Sequence, residues 1–262
     1  VFSTDYEIGG VDTIIGGKTG EGNIIIGGAE GDEISAGTGP DVILGDSGKV
    51  TRRADGTLVR VETLAPGIGG ADNILAGDGF DVVFGGAMGD NIDAGTDDSR
   101  DVVVGDNGYA VFDAGQVLLE IRSTDPSIGG DGNIVVGDGD DFVIGGAGNE
   151  YINVDRATGL PIGIDNGKDV IIGDNGYALF HAVGGKSLLN EIHTTDAIYG
   201  GNDVIFAGNG QDVVLGGSGN DYIDAGTDGS RDIVIGDNGE AFFSATEVLL
   251  TIRTTDPGYG GD

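Results

Sequence analysis

The sequence contains no cysteine, which excludes disulfide bonds and thiolate metal sites. Its five prolines are too few for collagen, which also needs glycine at every third position. Only 12 residues are Lys or Arg against 45 Asp or Glu, and the net charge of −33 rules out the basic surface that nucleic acids require. No apolar run approaches the ~20 residues of a membrane-spanning helix. We therefore expect neither nucleic-acid binding nor membrane insertion.

Glycine, in contrast, is abundant, with 55 of 262 residues. Much of it lies in a phrase, Gly-Gly-x-Gly-x-Asp-x-apolar-x, that recurs along the chain. The clearest copy spans 216–224, and looser copies span 85–93 and 145–153. Each phrase predicts a tight turn that presents a carboxylate, followed by a short strand with one inward apolar residue. Tandem phrases of this kind predict a parallel β-solenoid.

A longer repeat lies over the short one. An apolar or aromatic residue followed by Gly-Gly recurs, and a Gly-Asp-x-Gly marker recurs between these copies. The first glycines of the Gly-Gly pairs are at positions 9, 69, 129, 200 and 260. The predicted units are the end of a preceding block (1–10) and repeat blocks 1 to 4 (11–70, 71–130, 131–201 with an insertion around 154–167, and 202–262). We expect a window from a longer array, with further repeats of the same chain at both ends.

Each block contains four short strands and then a longer apolar pattern typical of a β-hairpin. The residue two positions after each turn acid is apolar and is expected to form an inner ladder. Its neighbours are apolar in the second and fourth strands and mostly polar in the third. If successive strands alternate between two sheets, one sheet is apolar on both faces, and we expect the hairpins to cover it. The predicted fold is all-β, a right-handed parallel β-solenoid or β-roll with a β-hairpin excursion in each of four blocks.

The turn acids form the candidate metal site. Ca²⁺ takes six to eight oxygen ligands from carboxylates and backbone carbonyls, and glycine-rich turns expose such carbonyls. The candidate ligands are Asp12, Asp32, Asp41, Asp46, Asp72, Asp78, Asp81, Asp90, Asp101, Asp106, Asp138, Asp141, Glu150, Asp169, Asp174, Asp203, Asp212, Asp221, Asp232 and Asp237. Their regular array predicts several Ca²⁺ ions. Mg²⁺ is the second choice because it demands a stricter octahedron, and zinc is disfavoured without cysteine.

The phrases at 216–224 and 145–153 resemble the nonapeptide of the repeats-in-toxin (RTX) family. The resemblance implies calcium-loaded parallel β-rolls, as in secreted bacterial proteins. It covers the strand-and-turn part of each block, a little over half of the chain. The chain departs from the simple family pattern in its regular hairpins and in turns of unequal length, such as the short 77–81 and the long 95–101.

No nucleophile–base pair, phosphate-binding loop or cofactor motif is evident, so we expect no enzymatic activity. The expected function is a calcium-binding structural repeat segment of a large secreted or cell-surface protein, acting as an adhesin, extender or filament. Two alternatives stay open. One is a calcium-dependent secretion or folding module of an RTX-like exoenzyme or toxin, and the other is an ice- or polysaccharide-binding solenoid. Lateral or end-to-end self-association also stays open.

Overall fold

The computed structural model describes residues 1–17, 20–163 and 165–261. Ile164 of the predicted insertion and Asp262 of predicted block 4 lie outside the described residues. The described residues form β-strands and turns and contain no α-helix. Among them there is accordingly no helix with the length and apolar character needed to span a bilayer. The predicted all-β fold is confirmed, since two of the sheets are parallel and successive strands alternate between them.

The first parallel sheet has one buried and one open face. Within the described residues its strands are β1 (Thr13–Ile15), β3 (Glu33–Ser35), β7 (Asn73–Leu75), β9 (Asn91–Asp93), β13 (Asn133–Val135), β15 (Tyr151–Ile152), β21 (Val204–Phe206) and β23 (Tyr222–Asp224). The strands pair in register, so that Ile74 lies beside both Ile34 and Ile92. The apolar residues two positions after the turn acids therefore form the predicted inner ladder.

The second parallel sheet takes the alternate strands of the chain. These are β2 (Ile24–Gly28), β4 (Val42–Asp46), β8 (Val82–Phe84), β10 (Val102–Val104), β14 (Phe142–Ile144), β18 (Val170–Ile172), β22 (Val213–Gly217) and β24 (Ile233–Asp237). Its central strands are buried along their whole length, as in β8 and β10. The prediction that the second and fourth strands of each block share a sheet that is apolar on both faces is confirmed.

The hairpins form a third, antiparallel sheet, called here the hairpin sheet. Its strands are β5 (Gly48–Arg52), β6 (Leu58–Thr63), β11 (Gly108–Phe112), β12 (Leu118–Ser123), β19 (Gly176–Val183), β20 (Lys186–Thr194), β25 (Gly239–Phe243) and β26 (Leu249–Thr254). Neighbouring hairpins also pair with each other through β6 and β11, β12 and β19, and β20 and β25. This continuity between hairpins was not predicted from the sequence.

Two apolar layers hold the three sheets together. The inner layer lies between the parallel sheets and contains Val83 and Val103. The outer layer lies between the second parallel sheet and the hairpin sheet, where Phe84, Val104 and Phe112 are almost completely buried. The prediction that the hairpins cover the outer apolar face is thus confirmed. Because strand side chains alternate, one strand supplies both layers.

The insertion of block 3 adds a small hairpin against the first parallel sheet. Its strands are β16 (Val154–Asp155) and β17 (Leu160–Pro161), which pair antiparallel. Val154 is fully buried, and Arg156 makes an ion pair of 3.5 Å with Asp131 in the preceding turn. The insertion therefore packs beside the turns that carry the candidate ligands.

Candidate metal centre

Two rows of carboxylates run along the solenoid. One row lies where the chain enters the strands of the first parallel sheet, and the other lies at the same end of the strands of the second. Each row member directly precedes a strand, so the register of the strands sets the register of the acids. The first row, before the first parallel sheet, contains Asp12, Asp32, Asp72, Asp90, Glu150, Asp203 and Asp221. The second row, before the second parallel sheet, contains Asp41, Asp81, Asp101, Asp141, Asp169, Asp212 and Asp232.

Each row is held by hydrogen bonds between coils. Asp72 Oδ1 accepts the backbone N–H of Asp32 at 2.6 Å, and Asp90 Oδ1 accepts that of Asp72 at 2.8 Å. The second row repeats this contact, with Asp81 Oδ1 accepting from Asp41 at 2.7 Å. One oxygen of each carboxylate thus fixes the side chain. The other oxygen is left to serve a different partner.

That second oxygen is the chemically notable atom. In most row members it is buried and has no hydrogen-bond partner among the described residues. These atoms are Oδ2 of Asp32, Asp41, Asp72, Asp81, Asp90, Asp141, Asp169, Asp203, Asp212 and Asp221, and Oε2 of Glu150. A buried charged oxygen is costly unless it is paired or coordinates a metal. The donor set of unpaired carboxylate oxygens fits a hard divalent cation such as Ca²⁺.

Backbone carbonyl oxygens lie close to these carboxylates. A Cβ atom on Gly85 would lie 2.2 Å from Asp90 Oδ2 and 2.0 Å from the carbonyl oxygen of Gly105. A Cβ on Gly45 would lie 2.1 Å from Asp72 Oδ2. No side chain fits at either glycine, so the ends of the second-sheet strands can come close to the first row. The result is the mixture of carboxylate and carbonyl oxygens that Ca²⁺ prefers.

Burial raises the pKa of these acids. In the second row, loss of contact with water raises the pKa of Asp81 to about 8 and that of Asp101 to about 10, and neighbouring carboxylates add to both shifts. In the first row, burial raises the pKa of Asp72 and of Asp203 to about 7. Both causes disfavour the charged form. A divalent cation would offset both of them.

The Gly-Asp-x-Gly aspartates have a different environment. Asp46 Oδ1 accepts the N–H of Gly70 at 3.0 Å, and its Oδ2 accepts that of Ala87 at 2.6 Å. A Cβ on Gly69 would lie 1.9 Å from this carboxylate, which explains the Gly-Gly pair that ends block 1. Asp106 and Asp174 repeat the arrangement. These carboxylates join one block to the next, and both oxygens already accept hydrogen bonds.

The remaining candidates lie apart from the rows. Asp237, at the last of these markers, is half-buried, and a Cβ on Gly260 would lie 2.4 Å from its Oδ1. Asp78 is exposed on a turn before the second parallel sheet. Asp138 lies in an equivalent turn, where its Oδ1 accepts the N–H of Asn166 at 2.6 Å. The structure does not bring Asp78 or Asp138 into either row.

Sequence reasoning missed Asp165. This residue is buried within the block 3 insertion, and its carboxylate accepts hydrogen bonds from Gly167 N at 3.0 Å and from Asn153 Nδ2 at 3.1 Å. Its charge also contributes to the raised pKa of Asp169. Asp165 stands four residues before Asp169, just as Gly208 stands four residues before Asp212. An acid in a glycine position of the turn is the signal that could have found it.

Comparison with known proteins identifies the repeat that carries the rows. The family model of the RTX calcium-binding nonapeptide repeat (4 copies) matches residues 19–49, 128–157 and 199–231. A comparison with curated proteins gives no match. The resemblance is confirmed: the chain carries RTX calcium-binding repeats, and its parallel solenoid is the β-roll that such repeats form. Each matched segment contains members of both carboxylate rows.

Proposed function

We propose that this chain is a calcium-binding structural segment of a large secreted or cell-surface protein, where it serves as an extender, adhesin stalk or filament element. The observation that carries the proposal is the set of buried, unpaired carboxylate oxygens aligned in two rows. Such a set is unfavourable in a metal-free fold. Calcium binding would therefore supply folding free energy directly.

The rows define the ligands of the proposed ions. One ion between two adjacent coils would take the free oxygens of two row members, such as Asp72 and Asp90, together with nearby glycine carbonyls. The hydrogen bonds between coils already orient these oxygens. Several ions are expected, since the same arrangement recurs along both rows. The Gly-Asp-x-Gly aspartates lie close enough to add charge, as Asp46 contributes to the raised pKa of Asp72.

The hairpin sheet supports the structural role over the alternatives. The hairpins of neighbouring blocks pair through β6 and β11, β12 and β19, and β20 and β25, so backbone hydrogen bonds join the blocks in three sheets. A module needed only for folding or secretion has no use for this third sheet. RTX repeats are typical of secreted proteins, and extracellular calcium modules bind at about 10⁻⁴–10⁻³ M.

Calcium-dependent folding is the first test of this proposal. At pH 8, far-ultraviolet circular dichroism should show a β-spectrum in millimolar Ca²⁺ and a disordered chain in excess EGTA, while Mg²⁺ should restore little structure. Small-angle scattering of the same samples should show expansion in EGTA. An unchanged β-spectrum in EGTA would sink the proposal.

Mechanical resistance is the second test, because it separates a load-bearing segment from a secretion module. Pulling single molecules from their two ends should give higher unfolding forces in Ca²⁺ than in EGTA. We expect stepwise unfolding, with one or more blocks lost in each step. A chain that folds in Ca²⁺ but extends with no measurable resistance would argue for the secretion module instead.

A further inference from the structure

The first carboxylate row is irregular at one place. Gly132 directly precedes β13, the position that Asp72 occupies before β7, so block 3 has no carboxylate at this step of the row. The next member is Glu150, the row's one glutamate, whose side chain is longer by a methylene. A Cβ on Gly132 would lie 3.8 Å from Glu150 Oε1. The missing and the lengthened side chains are therefore neighbours.

The number of carboxylates differs between the block junctions. A junction is defined here by a Gly-Asp-x-Gly aspartate and the two first-row positions of the adjoining blocks. Junction 1 contains Asp32, Asp46 and Asp72; junction 2 contains Asp90, Asp106 and Gly132; junction 3 contains Glu150, Asp174 and Asp203. Junction 2 thus offers two carboxylates, while junctions 1 and 3 each offer three.

Junction 3 is the most compact of these groups. One ligand oxygen from each of Glu150, Asp174 and Asp203 lies within 4.8 Å of the other two. All three side chains are at most 2% exposed. Glu150 Oε2 and Asp203 Oδ2 have no hydrogen-bond partner among the described residues. Glu150 differs by one methylene from Asp32 and Asp90, which hold the equivalent position at junctions 1 and 2.

We propose that Glu150, Asp174 and Asp203 form a separate Ca²⁺ centre at the junction of blocks 3 and 4, and that this centre binds more tightly than the sites along the rows. The inference rests on the proposed calcium-binding function. Three carboxylates around one ion raise the ligand charge, which is a main determinant of calcium affinity. One ligand, Asp174, comes from the marker directly before the block 3 hairpin, so the ion fastens the start of that hairpin to the first turn of block 4.

Loss of one carboxylate tests the centre. Isothermal titration with Ca²⁺, and Tb³⁺ luminescence sensitised by tyrosine, should resolve a tight class of site in the unaltered chain. In Glu150→Gln the tight class should weaken about tenfold or more, while the weaker classes persist. Glu33→Gln is the matched control, because Glu33 is exposed, lies outside both rows and accepts a hydrogen bond from Asn73. This control should leave every class unchanged.

Addition of a carboxylate tests the same idea in the opposite direction. In Gly132→Asp the added Cβ would make only ordinary contacts, 3.6 Å to the Asp90 carbonyl oxygen and 3.8 Å to Glu150 Oε1. The variant gives junction 2 a third acid, as junction 1 already has, and should strengthen Ca²⁺ binding at junction 2 because the ligand charge rises there. If the unaltered chain binds no Ca²⁺, the proposed function itself fails. If it binds Ca²⁺ but Glu150→Gln keeps the tight class, only the junction centre is overturned. If Glu150→Gln does not fold, Glu150→Asp decides: this variant keeps the charge but shortens the side chain by a methylene, and a tight class of unchanged affinity overturns the centre.

Discussion

Asp90 precedes β9 and Asp93 ends it, yet their surroundings differ sharply. Asp90 is buried with an unpaired Oδ2, whereas Asp93 is half-exposed and accepts the N–H of Gly95 at 3.1 Å. We expect Asp90→Asn to raise the calcium concentration needed for half-folding about tenfold, because the amide keeps an acceptor but loses the charge. Asp93→Asn should shift it less than twofold. Calcium titrations followed by circular dichroism compare them, and equal midpoints would contradict the assignment of Asp90 to the ligand row.

Gly69 shows how a residue without a side chain determines a junction. A Cβ there would lie 1.9 Å from Asp46 Oδ2, a carboxylate already fixed by two backbone amides. Gly69→Ala should therefore lower the free energy of unfolding by about 1–3 kcal/mol through overpacking. Gly67→Ala is the control, since its Cβ would meet only Ile128 Cδ1 at 3.9 Å. Urea unfolding in saturating Ca²⁺ should separate the variants, and equal stability would contradict the proposed close contact.

At the scale of elements, the sequence predicted the structure correctly where the residue spacing repeats. It did not predict the contacts between segments that are far apart in the chain. The apolar residue two positions after each turn acid predicted the inner ladder. Val82 and Phe84, the apolar neighbours of Val83, predicted a covered sheet. The pairing of β6 with β11 could not be predicted, because these strands lie in different hairpins and their contact depends on the spacing of the coils below. The role of Asp46 was hidden for the same reason, since its partner amides are 24 and 41 residues away.

The two faces of the hairpin sheet give a matched test of its packing. Leu118 is 2% exposed in the outer apolar layer, whereas the adjacent Leu119 is half-buried on the other face. We expect Leu118→Ala to cost about 2–5 kcal/mol, because it leaves a cavity beneath the sheet. Leu119→Ala should cost less than about 1 kcal/mol. Urea unfolding at fixed Ca²⁺ measures both, and a larger loss for Leu119→Ala would mean that the hairpin faces the other way.

Across the whole molecule, charge is sorted by depth and by face. The buried acids are concentrated in the turns, while Lys49, Arg60 and Arg122 lie on the outer face of the hairpin sheet. There they pair with glutamates, as in the contacts of Glu62 with Lys49 and Arg60. The guanidinium of Arg60 also stacks 3.7 Å from the Tyr109 ring. These three basic residues thus stabilise the hairpin sheet, whereas Arg100 and Arg156 pair with the exposed turn acids Asp140 and Asp131, which are not row members.

The buried turn acids predict how the metal-free chain responds to pH. Burial raises the folded-state pKa to about 6 for Asp221, about 7 for Asp72 and about 8 for Asp81, against ~3.9 for an unfolded aspartate. The fold therefore binds protons more tightly than the unfolded chain. Its stabilisation by protons is complete below about pH 4 and is lost as the pH rises through 6 to 8.

We expect the EGTA-treated chain to be most structured in acid and to unfold as the pH rises from 6 to 8. Calcium competes with these protons, so its affinity should rise between pH 6 and pH 8. Circular dichroism in EGTA and calcium titrations at the two pH values measure both effects, and a metal-free fold more stable at pH 8 than at pH 5 would contradict the buried-acid rows.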